Sequence, residues 1–229
     1  MSTMTDHTIS KITCTMAQTS EFGFRLANGT QIIHGQGSHT RLAFPKEPDI
    51  PGQLSVFSPG HRTDPQHTPA FCGPQGIMPF TTENRMPRHV HMSPDANSNK
   101  QRYIVEKIFV IEGVGLAEFG GQVYVIPPKT LVLIGPGVPH TWVACPPGLD
   151  LRQLGISGDE NVVSEGRFTA LFEYEEPTSF FPTAQTETLS DPAEYVKCDD
   201  LQSIRFPVMS IDEIKDRAMF VWGREARKL

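Results

Sequence analysis

The stretch RHVHMSPDANSNKQRYIVEKIFVIEG (88–113) holds the residues of this chain best suited to chemistry. His89 and His91 are one residue apart, and in a β-strand such an i, i+2 pair points the same way, leaving Val90 on the opposite face. On a later strand Glu106 has the same parity as Ile104, Ile108 and Val110. His140 follows the tight GPGVP turn and shares a face with Trp142 and Ala144 in HTWVAC. If these strands line one barrel, three imidazoles and one carboxylate converge inside it. Three neutral nitrogen donors and a carboxylate suit a divalent first-row metal: iron, manganese, nickel, cobalt or zinc. Without cysteine in the set, the strongest bias toward structural zinc is missing. Four protein donors leave one or two positions for substrate, water or dioxygen. Asp95, with three residues between it and His91, competes for the carboxylate role. Glu106 is favoured because it lies in a β-branched run, whereas Asp95 follows Pro94 and precedes NSN, a composition suited to a solvated turn.

Positioning such a cluster requires a closed or sandwiched sheet. From 86 to 157, RHVHM, YIVEKIFVIEG, GLAEFGG, QVYVIPP, TLVLIG, HTWVAC and LDLRQLGIS read as short β-type runs separated by Gly or Pro turns. Upstream, FGFRLANGTQIIHG reads as a hairpin turning at Asn28-Gly29. Residues 44–80 are rich in proline and read as extended loops wrapping a body. GRFTALFEYEEPTSFFP (166–182) fits one strand or a short helix. The tail reads as helical: Asp191, Pro192 and Glu194 form one start signal, and Ser210 with Glu213 a capping box, followed by Ile214, Ala218 and Val221 along one face. Those helices would close one end of the barrel or make a homodimer contact. The expected division is a loosely held arm over 1–20, a barrel over 21–182 with the site core at 86–157, and a helical extension over 183–229.

Composition narrows the function classes. With 229 residues the chain can bury a sizeable core, and its net charge of −6 with no Lys/Arg stripe argues against nucleic acid and anionic membranes. No run approaches the apolar length of a membrane span. The four cysteines form no CxxC pair and read as reduced thiols of an intracellular protein. The first twenty residues lack a secretory signal, so a cytoplasmic location is expected. His34, His39, His61 and His67 fit no ligand spacing and read as exposed loop residues. Phe109, Phe119 and Tyr124 read as core.

HVH, EKIFVIEG and PGVPH resemble the two signature motifs of the cupin superfamily, small β-barrels that hold a metal inside. Six residues separate Glu106 from Gly113, and Gly137 stands three before His140, as in those motifs. Fourteen residues separate His91 from Glu106, more than the family usually has, which implies an insertion over 92–102 at the barrel mouth. The resemblance implies an all-β, cupin-type antiparallel β-barrel (a jelly roll) with an N-terminal extension and short C-terminal helices. It also implies metal ligands His89, His91, Glu106 and His140, with iron(II) favoured over manganese, nickel, cobalt or zinc, and Glu106 as a base toward a substrate hydroxyl. The expected activity is a dioxygenase-like oxidoreductase acting on a small aromatic or polyketide-like substrate with dioxygen. The inward positions Ile104, Ile108, Val110 and Trp142 would line its pocket, with Arg102 and Gln153 in reach of the substrate. The alternatives are a redox-neutral isomerase, lyase, decarboxylase or cyclase using the metal as a Lewis acid, and a non-catalytic ligand-binding barrel.

Overall fold

The structure is a computed structural model that describes residues 18–20, 23–37, 39–42, 53–56, 73–98 and 100–229. The described chain begins with strands β1 (Gln18–Ser20), β2 (Gly23–Arg25), β3 (Gln31–His34), β4 (His39–Leu42), β5 (Gln53–Val56) and β6 (Gln75–Thr81). Next come β7 (His89–Pro94), β8 (Gln101–Tyr103), β9 (Glu106–Gly113), β10 (Gly115–Phe119), β11 (Gln122–Ile126), β12 (Thr130–Ile134) and β13 (His140–Ala144). After these lie β14 (Arg167–Tyr174), β15 (Ser179–Pro182), the short helix α1 (Ile211–Arg217), β16 (Met219–Trp222) and β17 (Glu225–Arg227). Among the described residues, no helix is long and apolar enough to cross a membrane.

Two sheets face each other. One has the order β1-β2-β3-β12-β9-β14-β6, and the other β15-β7-β13-β10-β11-β16-β17 with β8 paired to β7. Strand alternation fills the space between them. Ile108, Val110, Val132, Ile134 and Phe168 come from the first sheet, and Ala117, Phe119, Tyr124, Ile126 and Trp142 from the second. The opposite face of the second sheet carries Leu116, Val123, Val125, Val143 and Phe220, and these are covered by Leu149, Leu151, Ile156, Phe206 and Ile214. Burial on both faces is why QVYVI is almost continuously apolar rather than alternating, and why every residue of HTWVA is buried. The result is an all-β fold of two facing, mainly antiparallel sheets, as a jelly roll has.

Several local expectations hold. β2 and β3 pair as a hairpin through a turn in which Gly29 has φ +85° and Asn28 accepts a hydrogen bond from the Thr30 amide. Ser210 and Glu213 do form a capping box at the start of α1. Others are corrected. The insertion over 92–102 does leave and return, as the antiparallel pair β7 and β8 with Met92 opposite Tyr103, and the extra residues extend paired strands rather than an unpaired loop. β6 is a strand inside the stretch expected to be loop, and its Pro79 is tolerated because β6 lies at the sheet edge. Residues 166–182 give two strands, β14 and β15, rather than one strand or a helix. LDLRQLGIS is a series of turns whose Leu149, Leu151 and Ile156 pack on the second sheet without joining it. Helix α1 ends at Arg217, and the apolar run after it becomes β16, which pairs in parallel with β11. Phe109 is only half-buried, on the outer side of β9. His34 is buried, not exposed, with its Nδ1 accepting the Gly223 amide at 2.9 Å. The expectations for His61, His67, Cys14 and Cys72, and for the side chain of His39, lie outside the described residues.

Candidate metal centre

Four side chains from the two facing sheets meet at one point inside the barrel. His89 and His91 project inward from β7, and His140, whose Cα is in register with His89, projects from β13. Glu106 opens β9 on the other sheet and reaches across. One donor atom from each lies within 4.8 Å of every other, and all four residues are buried. Asp95 stays outside this group. Its Oδ1 accepts from the Asn97 amide at 3.0 Å and its Oδ2 from the Ser98 hydroxyl at 2.8 Å, so it caps the hairpin turn beyond β7.

The hydrogen bonds around the imidazoles decide what the cluster can hold. His89 Nδ1 lies 2.8 Å from the Pro87 carbonyl, His91 Nδ1 3.0 Å from that of Ser179, and His140 Nδ1 2.9 Å from that of Val138. A carbonyl oxygen only accepts, so each Nδ1 carries the proton and donates it. In the neutral ring each Nε2 is then a lone pair directed into the cluster. Glu106 Oε2 is 2.9 Å from His140 Nε2 and 3.3 Å from His91 Nε2, yet these three buried atoms have no hydrogen-bond partner. Lone pairs facing lone pairs at this distance in a buried site call for a cation between them. The residues therefore fit a metal ion, by donor type and by orientation.

Electrostatics agree. Burial, and after it the neighbouring His140 and His91, holds the His89 imidazole well below its ordinary pKa, in the neutral form a metal requires. Burial alone would raise the Glu106 carboxyl, but His91 and His140, when they carry a proton on Nε2, outweigh it and hold it below the usual carboxylate range, the same service a bound cation would give. Buried Cys145, just past the end of β13 and two positions along from Val143, belongs to the outer core and not to this cluster. Burial pushes its thiol up to about 12.

The other sequence-derived candidates separate into two groups. Ile104, Ile108, Val110 and Trp142 are all buried, the last three in the core between the sheets, and the indole Nε1 of Trp142 has no hydrogen-bond partner. Arg102 is not brought to the cluster. Its guanidinium is held by Glu175 at 3.1 Å and Glu176 at 2.6 Å, fastening the turn after β14 to the β7–β8 hairpin. Gln153 is exposed in a turn where its amide donates to Asp150.

Two residues near the cluster went unread in the sequence. Tyr174 lies directly opposite Glu106 on β14, buried, with its ring 4.7 Å from that of His91. Burial first, then the Glu106 carboxylate, raises its phenol above the ordinary range. Phe180 on β15 is in register with His91, and its ring packs against those of His89 and His91. The available signal was the alternation of Phe172 and Tyr174 followed by EEPTSFF, which marks a second strand once the turn is recognised.

The family model for the AraC-like ligand binding domain matches residues 106–162, which run from Glu106 through His140. A cupin 2 domain-containing protein from Halorhodospira halophila is similar in structure at 12% identity and a TM-score of 0.32, over 66% of this chain and 77% of that one. A 4-keto-6-deoxy sugar epimerase from the novobiocin cluster of Streptomyces spheroides gives 10% identity and a TM-score of 0.40, over 82% and 85%. A 3'-monoepimerase from Streptomyces bikiniensis, in complex with dTDP-quinovose, gives 10% and 0.38, over 83% of each chain. No curated protein matches the sequence.

Proposed function

We propose that this chain is a divalent-metal-dependent enzyme, an oxidoreductase of dioxygenase type acting on a small aromatic or polyketide-like molecule. His89, His91, Glu106 and His140 would hold the metal, with iron(II) preferred. The observation that supports it is the common tautomer of the three imidazoles. All three Nδ1 protons go to backbone carbonyls, so three lone pairs and a carboxylate oxygen share one buried point. When bound, such a metal supplies Lewis acidity and, if redox-active, electrons for dioxygen.

The chain's own residues do the rest. Backbone carbonyls of Pro87, Val138 and Ser179 fix the ring orientations before any ligand arrives. Ile108, Val110 and Trp142 exclude water from the barrel interior behind the cluster. Glu106 offers a carboxylate oxygen without a hydrogen bond of its own, placed to take a proton from a substrate hydroxyl at the same point. The apolar interior favours an uncharged carbon skeleton over a phosphorylated one.

The experiment is elemental analysis of protein purified without added metal, beside His140→Ala, followed by dioxygen uptake on flavonol- and diketone-like candidates. Stoichiometric first-row metal in the wild type, lost in the variant, and substrate-dependent dioxygen consumption are expected. Metal retained at full stoichiometry in His140→Ala would overturn the site. Turnover that proceeds without dioxygen and accepts zinc or manganese would replace the oxidoreductase with a redox-neutral enzyme on the same site.

A further inference from the structure

Phe180 is buried on one side against the metal-site imidazoles and open to solvent on the other. Its Cα pairs with that of His91, so the ring stands on the inward face of β15. The ring centroid is 4.8 Å from that of His89 and 5.2 Å from that of His91, edge-to-face in both cases. Yet Phe180 is 52% exposed, while the four clustered residues are between 2% and 3% exposed. β15 is not a loose edge. The next residue, Phe181, packs outward with Tyr195 against Val90, Met92, Tyr103 and Leu189. The Thr178 hydroxyl donates to the Met92 carbonyl at 2.6 Å, and the Ser179 carbonyl accepts from His91. A strand anchored this firmly presents an apolar ring to water beside a buried polar cluster, and nothing among the described residues covers it.

Charge around this mouth limits what could. The turn joining β14 to β15 carries Glu175 and Glu176, and both are set on the single guanidinium of Arg102. Ser93 adds a hydrogen bond to Glu176 and no positive charge. Two carboxylates sharing one cation do not attract a phosphate or a nucleotide.

Resting on the metal reading of this site, we infer that Phe180 is a specificity-determining residue. It receives the aromatic ring of a non-phosphorylated, oxygen-bearing ligand on its open side while the ligand's oxygens reach the cluster. Ring stacking on an ordered side chain discriminates aromatic from aliphatic ligands, and the shared register with His91 places the stacked ring next to the metal-binding atoms.

The test uses the full chain loaded with metal, whose content is measured in every sample, and two oxygen chelators: nitrocatechol, which is aromatic, and oxalate, which is not. Optical titration compares wild type with Phe180→Ala, with Phe180→Leu to keep volume without a ring, and with Phe180→Trp to keep a ring. Nitrocatechol should bind roughly five- to tenfold more weakly to the Ala and Leu variants and near wild type to Trp. Oxalate should bind all four alike. Nitrocatechol affinity unchanged in Ala and Leu, with metal retained, would overturn the inference and leave the metal centre standing. Equal loss for both chelators would also overturn it, by placing the effect on the cluster itself. A wild type that takes up no metal would remove the proposed function and this inference together.

Discussion

Glu106→Gln should make the metal-free protein more stable while weakening metal binding. In the wild type, Oε2 faces His140 Nε2 at 2.9 Å and His91 Nε2 at 3.3 Å, and none of these atoms has a hydrogen-bond partner. In the neutral tautomer set by the Nδ1 bonds to the Ser179 and Val138 carbonyls, no proton lies between them. A glutamine amide turned the same way donates an N–H to one of the two nitrogens. The gain is one buried hydrogen bond, about 1 kcal/mol, plus relief of a desolvated oxygen that had no donor, about 1–2 kcal/mol. For a chain of this length each kcal/mol moves the melting temperature by about 2–4 °C, so the metal-free variant should melt roughly 4–12 °C higher. The same substitution removes the only negative charge among the four donors, and metal affinity should fall by more than about a hundredfold. Calorimetry on chelator-stripped protein, followed by metal titration, reads both effects. A metal-free variant that melts at or below wild type would refute the reasoning, because it would show that the cluster is already satisfied without a cation.

Two further outcomes follow from other parts of the fold. His34 is buried beside Lys129, and burial first, then that charge, lowers its pKa to about 4 from the ordinary 6.5. The unfolded chain therefore binds the extra proton between those values, so stability is full above pH 6.5 and falls by about 3 kcal/mol as pH drops to 4. Urea melts across that window should show the slope, and His34→Gln should flatten it; an identical slope in both proteins counts against the assignment. Gly137, in the turn that delivers His140, has φ +72°, and a Cβ there would sit 2.0 Å from the Leu189 carbonyl oxygen. Gly137→Ala should cost roughly 2–4 kcal/mol in chemical denaturation, and an unchanged midpoint would mean the turn is not fixed in this way.

What could be read from the sequence was whatever depended on strand parity and turn chemistry. His89 with His91, Glu106 with Ile108 and Val110, and His140 with Trp142 all keep the faces that alternation assigns them. The choice of Glu106 over Asp95 was legible for the same reason: Pro94 and the residues after Asp95 spell a turn, and the turn consumes the Asp95 carboxylate. What escaped were pairings settled by distant partners. MFVW after α1 carries apolar residues compatible with one more helical turn, and pairing with β11 on one side and β17 on the other makes it a strand. His34 looks like a loop histidine until Gly223, on the turn between β16 and β17, donates to it across most of the chain's length. Arg102 reads as a free cation beside the site until Glu175 and Glu176 are brought back along β14.

The hairpin joins these two kinds of information. Fourteen residues separate Glu106 from His91 along the chain. Because β7 and β8 pair antiparallel, the chain leaves the barrel and returns beside its point of departure, where the Ile104 amide donates to the His91 carbonyl at 3.2 Å. The motif's spacing is lengthened in sequence and closed again in space. An insertion that folds on itself in this way leaves the four donors together, while its outer strand supplies the Arg102 that ties down the turn leading to Phe180.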